Sequence, residues 1–224
     1  MITVKNITKD FINGTVVTHV LRGVSMEIPD GQFVAIVGPS GAGKSTLMYQ
    51  MSLLDTPNTG SIFVDEQEIS ALNDTDAIQY RLENFGFVFQ DYALIPELTA
   101  LENVTLLGLM QGVDYETVKK EATAILGSFN LLNQIDYLPS QLSGGEQQRV
   151  SVARAIIKKP KILFADEPTA SLDSDMSAQV MAVFLDLHKK GQTIVMVTHE
   201  EEYALTAKRV ISLKDGDIVS DVRH

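Results

Sequence analysis

The stretch "QFVAIVGPSGAGKST" (residues 32–46) decides the fold. Its apolar first half predicts a buried strand, and we expect a helix to begin near Lys44. Between strand and helix, Gly38, Gly43, Lys44 and Ser45 match the pattern G-x-x-x-x-G-K-[ST]. Because this pattern lies in the strand–loop–helix context that it requires, we predict that backbone N–H groups of the loop wrap around phosphate oxygens.

Each side chain of this loop has an expected role. Lys44 places a point charge on the outer phosphates, and the Ser45 hydroxyl is an expected ligand of Mg²⁺. A chance match to the pattern is expected in about one chain in a hundred of this size, and the required neighbouring elements lower that figure further. The predicted nucleotide-binding residues here are Gly38, Pro39, Ser40, Gly41, Ala42, Gly43, Lys44, Ser45 and Thr46.

Outward from the loop, short apolar runs alternate with helix-length segments. Runs at 85–90, 161–167 and 193–199 are nearly continuous in apolar residues and end in polar ones. Such runs are typical of a parallel sheet that is covered on both faces. By contrast, the first thirty residues predict antiparallel strands, and the Asp-Gly pair within 211–220 predicts a hairpin. The chain is therefore expected to be α/β.

A central segment differs from the rest. Residues 91–141 are helical in period and contain no strand pattern. We expect them to form an all-helical lobe, inserted into a core made of residues 1–90 and 142–224. The whole chain, 1–224, is then one domain.

Composition limits the classes of function. The formal net charge of −11 argues against a nucleic-acid partner and against a polybasic lipid-binding patch. There are no cysteines, and four scattered histidines do not form a zinc pattern. With no membrane-span or signal-peptide pattern, we expect a cytoplasmic protein that reaches a membrane only through another protein.

A second chemical element is "KILFADE" (161–167). Asp166 ends an apolar strand, where it is placed to hold magnesium through water. Glu167 follows and can orient an attacking water. A strand end that only meets solvent is the alternative, but the phosphate loop favours the catalytic interpretation.

"LSGGEQQR" (142–149) presents a second turn suited to phosphate. The Ser143 hydroxyl can donate a hydrogen bond, and Gly144 and Gly145 let backbone N–H groups come close to a phosphate at the start of a helix. The alternative is that Ser143 is only the N-cap of that helix.

The chain resembles the ATP-binding subunits of ABC transporters in its motifs and in the order in which they occur. The motifs are "GPSGAGKST", "FQ" at Gln90, "LSGGE", "ILFADE", "SLD" (171–173) and His199 after "VMVT". The resemblance covers nearly the whole chain. It implies the P-loop NTPase ABC ATPase fold, a mainly parallel core sheet with an antiparallel β subdomain and an inserted α-helical subdomain. It also implies a homodimer that sandwiches two ATP, each between the phosphate loop of one copy and the LSGG turn of the other.

The resemblance assigns further roles. Gln90 contacts Mg²⁺ or the lytic water, and His199 contacts the γ-phosphate. Asp173 reaches the partner's site, and Glu146 belongs to the nucleotide-binding turn. Phe11 aligns with the aromatic residue that stacks on adenine, although a core position is an equal alternative.

Within the family, "FQDYALIPELTALENV" (89–104) looks like the branch of lipoprotein-releasing, macrolide-exporting and cell-division ATPases (LolD/MacB/FtsE-like). The chain departs from that branch at Glu146, where Gln is usual, and at Ala170-Ser171. The resemblance implies an ATPase that powers a separate membrane permease for export or extraction, with the permease docked near Gln90 and the helical lobe. Mechanical signalling to an extracytoplasmic enzyme is the alternative, and a soluble ABC ATPase of DNA repair or translation is a third.

Overall fold

A computed structural model describes all residues, 1–224, and divides them into two compact units. The first unit is Met1–Arg81 with His188–His224, and the second is Leu82–Leu187. The strands are β1 (Ile2–Asn13), β2 (Val16–Ile28), β3 (Phe33–Val37), β4 (Thr59–Val64), β5 (Gln67–Glu68), β6 (Phe85–Val88), β7 (Ile162–Asp166), β8 (Thr193–Val197), β9 (Arg209–Lys214) and β10 (Asp217–Arg223). The helices are α1 (Lys44–Met51), α2 (Asp74–Asn84), α3 (Ala100–Met110), α4 (Tyr115–Ser128), α5 (Gly144–Ile156), α6 (Ser174–Lys189) and α7 (Glu201–Ala204), with 3-10 turns at Leu132–Gln134 and Pro139–Gln141.

The first unit contains an antiparallel sheet in the order β2-β1-β4-β5. Ile2 pairs with Ile28 on one side and Val64 on the other, and all three side chains are buried. The alternation of buried and exposed residues in β2 is typical of a sheet with one apolar face. The antiparallel strands predicted for the first thirty residues are confirmed.

The same unit contains β9, β3 and β8 as parallel neighbours, with β10 antiparallel to β9. Every residue of β8 is buried, and so are four of the five in β3. This explains the nearly continuous apolar runs in the sequence.

The predicted hairpin at 211–220 is confirmed. Asp215 and Gly216 connect β9 to β10 with φ of +51° and +85°. Two successive positive φ values are required at the centre of a type I′ turn, and Asp-Gly is a preferred pair for it.

In the second unit, β6 and β7 are parallel, with Val88 opposite Ala165. Their aromatic side chains pack together, and the rings of Phe85 and Phe164 meet edge to face at 5.2 Å between centroids. The predicted helical segment forms α3 and α4 without a strand between them.

The turn before α3 is fixed by a fully buried amide. Asn103 Nδ2 donates to the carbonyls of Ile95, Leu98 and Thr99 at 2.9–3.1 Å. Asn103 Oδ1 accepts from the Ile95 N–H at 2.8 Å, so every polar atom of this buried side chain has a partner.

The structure agrees with an α/β fold that combines parallel and antiparallel strands. It also contains elements that the sequence did not predict, namely α2, β4 and β5. Helix α2 buries none of its residues, so its apolar pattern is weak. The predicted bounds of the inserted lobe, 91 and 141, stay a prediction.

Candidate functional site

In the first unit, residues 38–43 connect β3 to α1 as the predicted loop. Gly38 has a φ of +150°, and a Cβ built on it would lie 2.1 Å from the Leu213 carbonyl oxygen of β9. No other residue fits there, because the neighbouring atom is backbone and cannot move aside. The loop is therefore pressed against the strand beside it.

Lys44 is buried at the first position of α1. Its ammonium donates to the carbonyl oxygens of Gly38 and Pro39, at 2.9 and 3.1 Å. The side chain is thus folded back over its own loop. An ammonium has three donors, so these two bonds leave capacity for a phosphate oxygen.

Ser45 and Thr46 follow Lys44 in the first turn of α1. The first backbone N–H groups of a helix lack partners within the helix, and they carry its positive dipole end. The loop and this helix start together provide donors for an anion.

His199 lies at the same sheet edge as the loop. β3 and β8 are parallel with Ile36 opposite Val197, and the Thr198 N–H donates to the Ile36 carbonyl at 3.2 Å. The chain then leaves the sheet at His199, which is exposed. Since the carboxyl ends of parallel strands meet at one edge, the structure brings His199 and the phosphate loop to one side of the first unit.

Phe11 lies on β1, opposite Thr18 of β2. Its side chain is 48% exposed, which excludes the core position considered as the alternative. The Lys9 ammonium lies 5.4 Å from the ring centroid, within cation–π range.

In the second unit, Asp166 is the last residue of β7, Glu167 follows it, and Gln90 comes two residues after β6. Because β6 and β7 are parallel neighbours, all three lie at one edge. Asp166 is buried and Gln90 is exposed. Glu167 has a φ of +47°, in the left-handed region that a residue with a Cβ rarely occupies. Such backbone strain is concentrated at functional sites, and here it falls on the predicted catalytic carboxylate.

The LSGG turn (Leu142–Gly145) opens α5. Ser143 is its N-cap, and the Glu146 carboxylate accepts from the Ser143 N–H at 2.8 Å and from the Ser143 hydroxyl at 2.9 Å. The Glu146 N–H donates back to Ser143 Oγ at 3.3 Å, which completes a capping box. Ser143 is therefore the N-cap of α5. The phosphate-binding interpretation is compatible with this cap, because the LSGG turn lies at the helix N-terminus.

Asp173 precedes α6 and is exposed. Its Oδ1 accepts from the Met176 N–H at 2.8 Å, so it caps this helix.

The predicted residues therefore fall into two sets, one in each unit. The first unit contains Phe11, the loop residues 38–46 and His199, and the second contains Gln90, residues 143–146, Asp166, Glu167 and Asp173. Their roles stay predictions. The structure contains no group of three or more His, Cys, Asp or Glu side chains able to hold a metal. Mg²⁺ prefers oxygen ligands and keeps several waters, and the Ser45 hydroxyl, Gln90 amide and Asp166 carboxylate fit that preference.

Two residues of α5 that the motifs did not predict, Gln148 and Arg154, contact the segments around Gln90 and Glu167. Gln148 is fully buried, and its Nε2 donates to the Pro168 carbonyl at 2.9 Å. Arg154 donates to the carbonyls of Tyr92 and Ala93. Gln148 precedes the buried Val152 by four residues, so the helical period places it on the buried face of α5. No signal in the sequence indicates the carbonyls that it contacts.

Comparisons with known proteins identify the family of this chain. A family model described as "ABC transporter" matches residues 21–170. The macrolide export ATP-binding/permease protein MacB of Brucella melitensis is 44% identical over 221 residues, which is 99% of this chain and 34% of that protein. MacB of Campylobacter fetus is 44% identical over 223 residues, 100% of this chain and 35% of that protein. The chain thus spans about a third of the length of these relatives.

Among solved structures, a dimeric post-hydrolysis state of the ATP-binding cassette MJ0796, bound to ADP and Pi, superposes with a TM-score of 0.93 at 38% identity. The match covers 100% of this chain and 98% of that chain. A second dimeric structure of MJ0796, described as a bacterial ABC transporter cassette, matches equally well. None of the helices has the length and apolarity that crossing a bilayer requires. The predicted resemblance and fold are confirmed by these matches: the chain belongs to the ABC transporter family.

Proposed function

We propose that this chain is the ATP-binding and ATP-hydrolysing part of an ABC transporter. The observation that carries the proposal is the loop after β3, where Lys44 is held at the carbonyls of Gly38 and Pro39 beside a helix N-terminus. A buried cation and a set of backbone N–H groups at one point suit a polyphosphate. The MJ0796 cassette in its post-hydrolysis state is bound to ADP and Pi, which supports ATP as the nucleotide of this chain.

In this proposal the residues of the first unit bind nucleotide. The loop residues 38–46 hold the phosphates, and Phe11 offers an exposed ring to adenine. Ring stacking of this kind contributes about 1–3 kcal/mol. His199 donates to the γ-phosphate.

The residues of the second unit supply hydrolysis. Glu167 orients a water for in-line attack and accepts its proton. Gln90 and Asp166 would be ligands of Mg²⁺, as would Ser45 of the phosphate loop, and the bound ion neutralises charge on the phosphate oxygens. Gln90 would also contact the lytic water.

We further propose that two copies enclose two ATP, each bound between the loop of one copy and residues 143–146 of the other. Asp173 then reaches the site of the partner copy. The MJ0796 cassettes, which are dimers, support this assembly. The γ-phosphate contacts both copies, so ATP favours the closed dimer and ADP does not.

The transport role rests on a membrane partner. The relatives are named export ATP-binding/permease proteins, which supports a permease as partner and export as the process. The helical lobe presents exposed apolar side chains where α3 ends, among them Met110 at 62% exposure. We propose that the permease docks there and near Gln90, holding the chain at the inner face of the cell membrane.

The test is phosphate release from ATP by the purified chain with Mg²⁺, compared with Lys44→Ala. We expect release by the wild type and a loss of at least about a hundredfold in the variant. Equal rates in the two proteins would contradict a role for the loop in hydrolysis.

A further inference from the structure

The segment that follows Gln90 has an unusual backbone. Tyr92 and Ala93 both lie in the left-handed region, with φ of +63° and +47°. Residues with a Cβ adopt this region at a cost in free energy, and two in succession require an external hold. Residues 90–93 form the Gln90 loop.

Arg154 supplies that hold. Its guanidinium, on the fourth turn of α5, donates from Nη2 to the Tyr92 carbonyl at 2.9 Å and from Nη1 to the Ala93 carbonyl. The two bonds fall on the two strained residues. Burial lowers the pKa of the Arg154 guanidinium. Arginine nevertheless stays protonated in proteins, so both bonds are charge-assisted and stronger than neutral ones.

Gln148, on the same helix, links two further segments. Its Nε2 donates to the carbonyl of Pro168, the residue after Glu167, at 2.9 Å. The same nitrogen lies 3.4 Å from the carbonyl of Phe89, the residue before Gln90. The fully buried Gln148 amide therefore lies between two backbone segments, the one before Gln90 and the one after Glu167.

The Gln90 loop also reaches the start of α5. A Cβ built on Gly144 would lie 2.9 Å from the Tyr92 hydroxyl oxygen, so the hydroxyl lies directly against the LSGG turn. Helix α5 thus contacts the Gln90 loop at both its N-terminal turn and Arg154, and it contacts the Glu167 segment through Gln148.

We propose that Arg154 and Gln148 are positioning residues for hydrolysis, which fasten the Gln90 loop and the segment after Glu167 to helix α5. A movement of the LSGG turn then displaces Gln90 and Glu167 together. The proposal rests on the proposed ATPase function and names residues through which the turn acts on the chemistry.

The main experiment compares Arg154→Ala with the wild type in ATP hydrolysis and in binding of a fluorescent ATP analogue. We expect kcat to fall about tenfold to a hundredfold, because small misplacements of reacting groups cost that much. The nucleotide Kd should stay within about twofold, since the phosphate loop is untouched. Lys158→Ala is the matched control: Lys158 also donates to a backbone carbonyl, that of Leu82, but outside the Gln90 loop. Its kcat should be unchanged.

Rescue separates positioning from a merely structural role. Glycine occupies the left-handed region freely, so Ala93→Gly in the Arg154→Ala background should restore kcat at least about threefold. A packing role for Arg154 in α5 would not respond to a change at Ala93. Failure of this rescue in a folded protein, or a wild-type kcat in Arg154→Ala, overturns the proposal.

Two further variants, Arg154→Lys and Gln148→Met, test the same proposal. If Arg154→Ala does not fold, Arg154→Lys replaces it, because lysine keeps the charge but lacks the fork that reaches both carbonyls. We expect a lowered kcat that Ala93→Gly raises, and an unchanged kcat overturns the proposal. Gln148→Met, which keeps the volume but removes the donor, should lower kcat with unchanged nucleotide Kd.

The activity of the wild type distinguishes failure of the proposed function from failure of this inference. A wild type without ATPase activity overturns the proposed function and this inference with it. An active wild type with an equally active Arg154→Ala overturns only the inference.

Discussion

Ser143 and Glu146 bond to each other in both directions at the start of α5. The Ser143 hydroxyl donates to the Glu146 carboxylate at 2.9 Å, and the Glu146 N–H donates to Ser143 Oγ at 3.3 Å. In this state the hydroxyl proton is directed at a carboxylate within the chain. To donate to a phosphate, the hydroxyl must give up its hydrogen bond to Glu146. The Glu146 carboxylate also places a negative charge where a γ-phosphate is proposed to bind.

Glu146→Gln should therefore strengthen ATP-dependent closure. The amide keeps an acceptor for the Ser143 hydroxyl, but it removes the charge that repels phosphate. Two like charges about 4 Å apart in water repel by about 1 kcal/mol, so we expect the ATP concentration at half-maximal rate to fall about fivefold. The measurement is the ATP dependence of hydrolysis at low salt and at high salt, where screening should reduce the difference. No shift at low salt would show that the charge does not act on nucleotide.

Glu146→Ala is the companion variant. It removes both the charge and one half of the capping box, so it should also destabilise α5 by about 0.5–1 kcal/mol. A lower Tm in Glu146→Ala, with an unchanged Tm in Glu146→Gln, would separate the cap from the charge.

Glu167→Gln should bind ATP without hydrolysing it. The amide is the same size as the carboxylate but cannot accept a proton from the attacking water, so turnover should fall at least about a hundredfold. Because hydrolysis no longer opens the closed state, a sizing column run with ATP should show a dimer. A fully active variant would remove this carboxylate from the mechanism.

Ser143→Arg should block dimer formation and leave nucleotide binding to the single copy intact. The long cation occupies the space that the partner's nucleotide needs, whereas the phosphate loop lies in the other unit of the chain. The test is the sizing column in the Glu167→Gln background, with an equilibrium binding assay alongside. Ser143→Thr retains the hydroxyl and the cap and serves as control. Loss of nucleotide binding by Ser143→Arg would argue against a site shared between copies.

The Arg209–Asp221 pair should make stability depend on pH. Arg209 is buried and donates from Nε and Nη2 to the Asp221 carboxylate at 2.7 and 2.6 Å. The hydrogen bonds from Arg209 hold the pKa of the Asp221 carboxyl below its ordinary value. A depressed folded-state pKa contributes stability that is present above the unfolded value, about 3.9, and is lost as pH falls through the folded value.

The measurement is the Tm of the wild type and Asp221→Asn between pH 7 and pH 3. We expect the wild type to be more stable at pH 7 and the difference to shrink toward pH 3. A difference that stays constant over this range would contradict the charge-assisted pair as its source.

Local patterns in the sequence determined much of the fold. The glycines and lysine of the phosphate loop, the Asp-Gly turn and the helical period of α3 and α4 were all readable. Each reflects conformational preferences of residues that are close in the chain. The family resemblance was readable for the same reason, because its motifs are short and occur in order.

The short strands β4 and β5 and helix α2 were not readable. β5 is only two residues long, and α2 buries none of its residues, so no apolar period marked them. β4 forms by pairing with β1, whose residues lie more than fifty positions earlier in the chain, and β5 forms by pairing with β4.

What only the tertiary structure decided is which polar groups meet. His199 lies at the same sheet edge as the phosphate loop because β3 and β8 are neighbours. These two strands are about 160 residues apart in the chain. Arg154 donates to the carbonyls of Tyr92 and Ala93, which lie 62 and 61 residues earlier in the chain. The amino-acid sequence determined which groups were present and the local shape of their turns. The long-range packing of strands and helices chose their partners, because a hydrogen bond depends on distance and direction and not on separation along the chain.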